Sequence, residues 1–298
     1  MPENLRCGMV TVAGRANVGK STLVNRLVAH KVSITSPLPQ TTRSRVMGIK
    51  NRVDAQIVYI DTPGLHIDAK RTIDRYMNRA ARGSLEGVDC VVLVISAPGW
   101  VAEDQQILDL VRDQSCPVIL AINKIDTMKD RQQLLPLIEQ CSGKMPFAEI
   151  VPVSALTGEN MVDLEKSVLG YLPEQPPLFP ADQITDRSDK FVAAEFVREQ
   201  VFRHTRQEVP YAVAVSVEQF EQTPKLLRIS AVVWVEKESQ KGIIIGRAGD
   251  RLKKMGRLAR ERMEGYFESK VHLELWVKVR EGWADSEVLL RSIEYGDE

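Results

Sequence analysis

Gly14-Arg15-Ala16-Asn17-Val18-Gly19-Lys20-Ser21 decides the reading of the first half of this 298-residue chain. The stretch fits G-x-x-x-x-G-K-[ST]. It follows an apolar run at 9–13 and opens a helical pattern near Gly19, the context the motif requires. Glycines let backbone N–H groups wrap phosphate oxygens, and a helix N-terminus adds partial positive charge. Lys20 would reach the β- and γ-phosphates, and the Ser21 hydroxyl would ligate Mg²⁺. Working outward, Asp61-Thr62-Pro63-Gly64 follows the apolar run 57–60. A carboxylate at that strand end would hold Mg²⁺ through water, and the Gly64 N–H would face a γ-phosphate; alone, the four residues read as a turn. Asn123-Lys124-Ile125-Asp126 ends another apolar run. The Asp126 carboxylate would accept two parallel hydrogen bonds from guanine N1–H and N2–H₂, a donor pair that adenine lacks. Ser154-Ala155, after the run 150–153, would offer a backbone N–H to guanine O6.

Short runs rich in Val and Ile at 9–13, 55–60, 91–96, 118–123 and 150–153 alternate with helical patterns beginning near Gly19, Lys70, Glu103, Asp130 and Met161. That order predicts βαβ units, a mostly parallel sheet with helices on both faces. From Leu172 to Pro180 there are four prolines in nine residues, which excludes a helix or a central strand. The expected division is therefore a nucleotide domain at 1–172, an extended linker at 173–185 and a second domain at 186–298. In the second half, Phe191, Ala194, Val197 and Val201 recur at helical spacing. Residues 211–217 and 229–235 alternate, Leu252 to Met263 share a helix face, and 271–279 alternate again. Helix–strand–strand–helix–strand reads as a small α+β domain with one solvated sheet face.

Forty basic against forty acidic side chains give zero net charge, so a polyanion would have to be met by a local cluster. One exists. Gly246-Arg247-Ala248-Gly249 is a GxxG loop ahead of a helix, and between Lys241 and Arg262 eight basic residues stand against two acidic ones. A GxxG loop clamps the backbone of about four nucleotides in KH domains. Arg247, Lys253, Lys254 and Arg257 would supply its charge. Cys7, Cys90, Cys116 and Cys141 lack metal spacing and read as reduced thiols, and the four histidines show no ligand spacing either. The longest clean apolar run, 90–95, is six residues, far short of the roughly 20 of a membrane span. With no signal-peptide pattern at the N-terminus, the expectation is a soluble cytoplasmic protein.

The three nucleotide motifs together resemble a GTPase of the translation-factor-related class, with a type II KH domain behind it. Ser33-Ile-Thr-Ser, Pro39-Gln-Thr-Thr-Arg, Ile184-Thr-Asp-Arg-Ser, the run 271–279 and Gly282-Trp-Ala-Asp extend the likeness over essentially the whole chain. The chain is similar to the Era family of ribosome-assembly GTPases, departing at Ala16, where that family usually has proline. The resemblance implies GTP hydrolysis switching the binding of small-subunit ribosomal RNA near its 3′ end, on the 30S subunit, by a monomer with peripheral inner-membrane contact. It also implies that Asn17 ligates K⁺ in place of an arginine finger; the spacing equally fits a loop Asn bonding its own backbone. Leu65 stands where glutamine would position water, so intrinsic hydrolysis should be weak. The segment 31–45, without acids and broken by proline, reads as a mobile loop whose Thr42, or Thr41, closes on Mg²⁺. The rival reading is a membrane-associated or transport GTPase whose C-terminal domain docks a protein.

Overall fold

The computed structural model describes residues 5–64, 71–97 and 99–286. The chain divides into two compact units. One comprises Met1–Ser33, Thr42–Asp68 and Met77–Asp186; the other comprises Ile34–Thr41, Ala69–Tyr76 and Arg187–Glu298.

In chain order the first half forms β1 (Leu5–Ala13), α1 (Lys20–Val28), β2 (Val46–Asn51), β3 (Ala55–Asp61), α2 (Thr72–Gly83), β4 (Cys90–Ser96) and α3 (Ala102–Val111). It continues with β5 (Val118–Asn123), α4 (Leu134–Ser142), β6 (Glu149–Pro152), α5 (Met161–Tyr171) and the two-residue β7 (Glu174–Gln175). The sheet runs β2-β3-β1-β4-β5-β6. Its neighbours are parallel except β2, which lies antiparallel on β3, and the short β7, which pairs antiparallel with the start of β1. Strands β3, β4 and β5 are buried at nearly every position, which is why they read as unbroken apolar runs. Parallel strands also bring every strand C-terminus to one edge, and the loops that follow β1, β3, β5 and β6 all open there. Strand β2 escaped the sequence reading: six residues carrying Gly48 and Lys50 show little of a strand's pattern.

The Pro-rich stretch is extended and lies along this unit. Gln56, wholly buried on β3, accepts from the backbone N–H groups of Leu178 and Phe179 at 2.7 and 2.9 Å and donates to the Phe179 carbonyl at 2.8 Å. Further on, Ile49 N–H donates to the Ile184 carbonyl at 2.7 Å and Met47 N–H to Asp186 Oδ1 at 2.9 Å. Proline removes donors from the segment, and these of its remaining backbone groups find fixed partners.

The second unit contains α6 (Asp189–His204), β8 (Val213–Gln222), β9 (Leu227–Val235), α7 (Glu238–Ile245), α8 (Asp250–Tyr266) and β10 (Val271–Val279). Its sheet order is β10-β9-β8, with β9 parallel to β10 and antiparallel to β8. Ser188 caps α6 by accepting from the Phe191 N–H at 3.3 Å. Val197, Val213, Ile229, Val233, Met255, Ala259 and Met263 form the core between helices and sheet. On β10 the exposed positions are His272, Glu274, Trp276 and Lys278, so one sheet face is solvated, as the alternation indicates. Helix α7 is an addition to the expected order. Eight residues with one glycine and three consecutive isoleucines are poor helix text, and tertiary packing overrides propensity there.

Candidate nucleotide site and nucleic-acid interface

The loop 14–21 has the left-handed backbone that a phosphate cradle needs. Gly14, Asn17 and Gly19 take φ of 154°, 62° and 98°, and α1 starts directly after Gly19. Asparagine tolerates φ > 0 better than most residues, so the backbone alone accounts for Asn17. The Lys20 ammonium is buried and donates to the carbonyls of Gly14 and Arg15, both at 2.9 Å, so it is folded back across the cradle. Burial pushes its pKa down to about 8, with nearby Asp61 pulling it up and Arg15 pushing it further down. Arg15 is held to α3 by a 3.1 Å bond from Nε to Asp104 Oδ1, and Val18 is fully buried.

Three oxygen-bearing side chains converge. Ser21 Oγ and Thr42 Oγ1 are 2.8 Å apart, and Thr42 Oγ1 donates to Asp61 Oδ2 at 3.3 Å. Thr41 is the other candidate from the same segment, but its hydroxyl donates to the Leu38 carbonyl at 2.8 Å. Asp61 is fully buried and its carboxyl lies above the usual range because of burial, against the pull of the Ser21 hydroxyl and the Lys20 ammonium. Its Oδ1 has no hydrogen-bond partner among the described residues, an orphaned acceptor that a hydrated cation would satisfy. Thr62 Oγ1 donates to the Val12 carbonyl at 2.8 Å, tying β3 to β1. A Cβ on Gly64 would stand 2.9 Å from the Ala16 backbone, so the residues after Asp61 approach the cradle where a γ-phosphate would lie. Leu65 lies outside the described residues.

The base end is a cross-braced set of loops. Asn123 Nδ2 donates to the Val18 carbonyl at 2.8 Å while its Oδ1 accepts from the Ala155 N–H at 3.0 Å. Lys124 Nζ donates to the Asn17 carbonyl at 2.6 Å, and Ile125 is buried. Asp126 is exposed, with Oδ1 accepting from Ser154 Oγ at 2.5 Å. The N–H of Ser154 donates to the Glu159 carbonyl at 3.1 Å. The amides of Ser154 and Ala155 are thus engaged within the protein, contrary to the expected free donor, and the pair instead orients Asp126 and braces the loop.

The segment 31–45 is better packed than its polarity suggests. Ser33, Arg43 and Ser44 are buried, and Asn25 Oδ1 holds the N–H groups of Val32 and Ser33, each at 2.9 Å. Polar text is compatible with burial when its hydrogen bonds are made.

In the second unit the loop 246–249 connects α7 to α8. Gly246 (φ 73°, ψ −179°) lies in a region open only to glycine, and Ala248 and Gly249 are left-handed at φ 51° and 80°. Arg247 and Ala248 are exposed, and Lys253, Lys254 and Arg257 are exposed on α8. Arg257 is 3.9 Å from Glu261, whereas Lys253 and Lys254 make no ion pair among the described residues. Beside the loop, Leu252, Lys253, Gly256, Arg257, Arg260, Leu273 and Leu275 line a groove of about 290 Å³. Its apolar floor joins α8 to β10, a juxtaposition that periodicity cannot reveal. Trp276 is exposed on the sheet and Trp283 is fully buried.

These two constructions define a P-loop GTPase with a C-terminal KH domain. Residues 9–124 match the family described as 50S ribosome-binding GTPase, and residues 208–284 match the KH domain. The chain is 52% identical over 287 residues to GTPase Era of Coxiella burnetii (strain Dugway 5J108-111), covering 96% of this chain and 97% of that one. It is 49% identical to GTPase Era of Pseudomonas aeruginosa (strain LESB58), over 100% and 97% of the two chains. Two solved structures superpose on nearly all of it. A variant of Aquifex aeolicus Era bound to GDP·AlF4⁻ has a TM-score of 0.95 at 42% identity, covering 98% of this chain and 100% of that one. Era in complex with MgGDPNP and nucleotides 1506–1542 of 16S ribosomal RNA has a TM-score of 0.94 at 42% identity, with the same coverage. The chain belongs to the GTPase Era family, and it is a GTPase, converting GTP to GDP and phosphate. Among the described residues no helix is long and apolar enough to cross a membrane.

Proposed function

We propose that this GTPase uses GTP to govern its binding of small-subunit ribosomal RNA near the 3′ end, acting in assembly of the 30S subunit and maturation of its RNA. The observation that carries the proposal is the full-length likeness to Era holding both MgGDPNP and 16S ribosomal RNA, in a chain that keeps a phosphate cradle and a GxxG loop.

Lys20 turns from the Gly14 and Arg15 carbonyls to the β- and γ-phosphates, and the backbone N–H groups of 14–21 surround them. The Asp126 carboxylate, held by Ser154, selects guanine. Ser21, Thr42 and Asp61 are the residues that would hold Mg²⁺, and their convergence and the unpartnered Asp61 Oδ1 fit it. The cation supplies charge stabilisation to the transferring phosphoryl group. Thr42 is the member of the set that belongs to a segment able to sense the γ-phosphate. Asn17 would ligate K⁺, in keeping with a chain that carries leucine at position 65. On the RNA side, phosphates approach the exposed backbone at 246–249, basic residues of α8 neutralise neighbouring ones, and a base enters the groove beside Leu252 and Leu275. The family resemblance supports a monomer in the cytoplasm with peripheral contact to the inner membrane.

The test is crosslinking of the whole protein to total RNA, with a GTP analogue and with GDP, followed by sequencing. Enrichment of the small-subunit 3′ end that differs between nucleotides is expected. RNA recovery no better than that of an acidic control protein would replace the proposal with a protein-docking module. Hydrolysis should run faster in K⁺ than in Na⁺, and Asn17→Ala should erase the difference; equal rates in both salts would remove the potassium assignment alone.

A further inference from the structure

Strand β10 has two different surfaces. Leu273 and Leu275 line the groove beside the 246–249 loop, and a Cβ on Gly256 would stand 3.2 Å from Leu275 Cδ1, so α8 and β10 touch along its floor. His272, Glu274, Trp276 and Lys278 take the other side, because successive side chains of a strand alternate. In the order β10-β9-β8 the strand is an edge, paired among the described residues with β9 alone. A chain lying in the groove has the width of one strand to cross before it meets the outer face.

Trp276 is 58% exposed, and among the described residues it makes no hydrogen bond or ring contact. Trp234, on the neighbouring strand, is a settled indole by contrast. Its Nε1 donates to Ser216 Oγ at 2.8 Å, and Lys278 Nζ and Arg280 Cζ stand 5.6 and 5.8 Å from its ring centre. One exposed apolar residue is ordinary on a protein surface. What marks Trp276 is its place, next in the chain to Leu275 of the groove and on the outer face of an edge. Lys278 follows on the same face, and the Arg280 N–H donates to the Val235 carbonyl at 2.8 Å, so the alternation runs one residue past the strand. Glu274 lies 3.1 Å from His272, and Glu218 lies 3.0 Å from Lys278. Acids and bases therefore nearly balance, and this face does not gather phosphates by charge. A base stacking on an aromatic ring needs no charge and tolerates any sequence. Proteins meet single-stranded RNA in this way, with unstacked bases laid on aromatic side chains. We propose that Trp276 is a stacking site for RNA: the unpaired nucleotide flanking those in the groove crosses the edge of β10 and lays its base on the indole. The proposal rests on the RNA reading above and adds one base to the stretch that the GxxG loop clamps. Continuity with the groove favours RNA over a protein as the occupant.

The test uses the full chain with a GTP analogue and Mg²⁺, and two single-stranded RNAs from the small-subunit 3′ end. One has about four nucleotides, enough for the groove, and the other about eight. The wild type should bind the longer RNA more tightly. Trp276→Ala is expected to weaken the longer RNA by about fivefold or more and the shorter by no more than about twofold. The slope of log affinity against log salt should stay unchanged, because no phosphate contact is lost. Trp276→Phe, which keeps an aromatic face, should recover most of the loss. The longer RNA should also quench tryptophan fluorescence in the wild type and not in Trp276→Phe. Equal weakening of both RNAs, or no change in either, in a variant with wild-type melting temperature overturns the proposal. If Trp276→Ala does not fold, the fluorescence of Trp276→Phe decides, and quenching that survives in it overturns the proposal. A wild type that binds both RNAs equally overturns the stacking site and leaves the groove standing. A wild type that binds neither overturns the RNA reading, and this proposal with it.

Discussion

The loops at 14–21 and 246–249 share a left-handed backbone and differ in their degree of enclosure. Each bends its backbone through left-handed residues, and each opens a helix, α1 in one case and α8 in the other. Around the first, Val18 and Lys20 are buried, Asn123 braces Val18, and a Cβ on Gly19 would come within 2.4 Å of Asn123 Nδ2. Around the second, Arg247 and Ala248 are exposed, and a Cβ on Gly249 would meet nothing within 4 Å. An enclosed cradle suits a compact ligand bound whole, because low local dielectric strengthens each contact. An open loop suits a polymer that passes through, gaining affinity from many screened phosphate contacts.

Lys20→Ala should break the enclosed site most completely. It removes the ammonium folded onto the Gly14 and Arg15 carbonyls, and Mg·GTP affinity should fall by at least a hundredfold, about 2.7 kcal/mol, in nucleotide titrations, with the KH domain still folded. Matched glycine substitutions sharpen the contrast next. Gly19→Ala combines a φ of 98° with a clash at Asn123 and should lower stability by about 3 kcal/mol. Gly249→Ala meets only backbone strain and should cost about 1 kcal/mol. Thermal or urea unfolding that ranks the two equally would count against the difference in enclosure. Arg247→Asp combined with Ala248→Asp should lower single-stranded RNA affinity at least tenfold, about 1.4 kcal/mol, with GTP affinity and melting temperature unchanged. If this double variant binds RNA as the wild type does, the loop is a turn and nothing more. The smallest effect belongs to Lys253→Ala: affinity should drop about threefold and the slope of log affinity against log salt should ease by about one, as for a single phosphate contact.

The legible part of the candidate site was local. Gly14 to Ser21, Asp61 to Gly64 and Asn123 to Asp126 each sit within a few residues of a strand end, where residue type, spacing and apolar context lie together in the text. The loop 246–249 and the basic face of α8 were legible for the same reason. What escaped depends on partners far apart in the chain. Asn123 reaches back to Val18, Asp104 holds Arg15, and Leu273 and Leu275 complete a groove begun by Leu252.

The sequence by itself determined a P-loop GTPase fold followed by a smaller α+β KH domain, since hydrophobic period and turn chemistry act over a few residues, whereas the compact units interleave, with 34–41 and 69–76 grouped with the second. Only the tertiary structure shows that the Thr42 hydroxyl reaches Ser21 and Asp61 while that of Thr41 turns to Leu38, because these partners lie far from one another in the chain. It alone also decided the fate of α6. By period that helix is an ordinary amphipathic one, yet Arg198 and Glu199 are buried and bonded to residues more than 150 positions earlier. A helical repeat shows which face is apolar, but it cannot show that the polar face is also covered, since covering is a property of whatever packs against it.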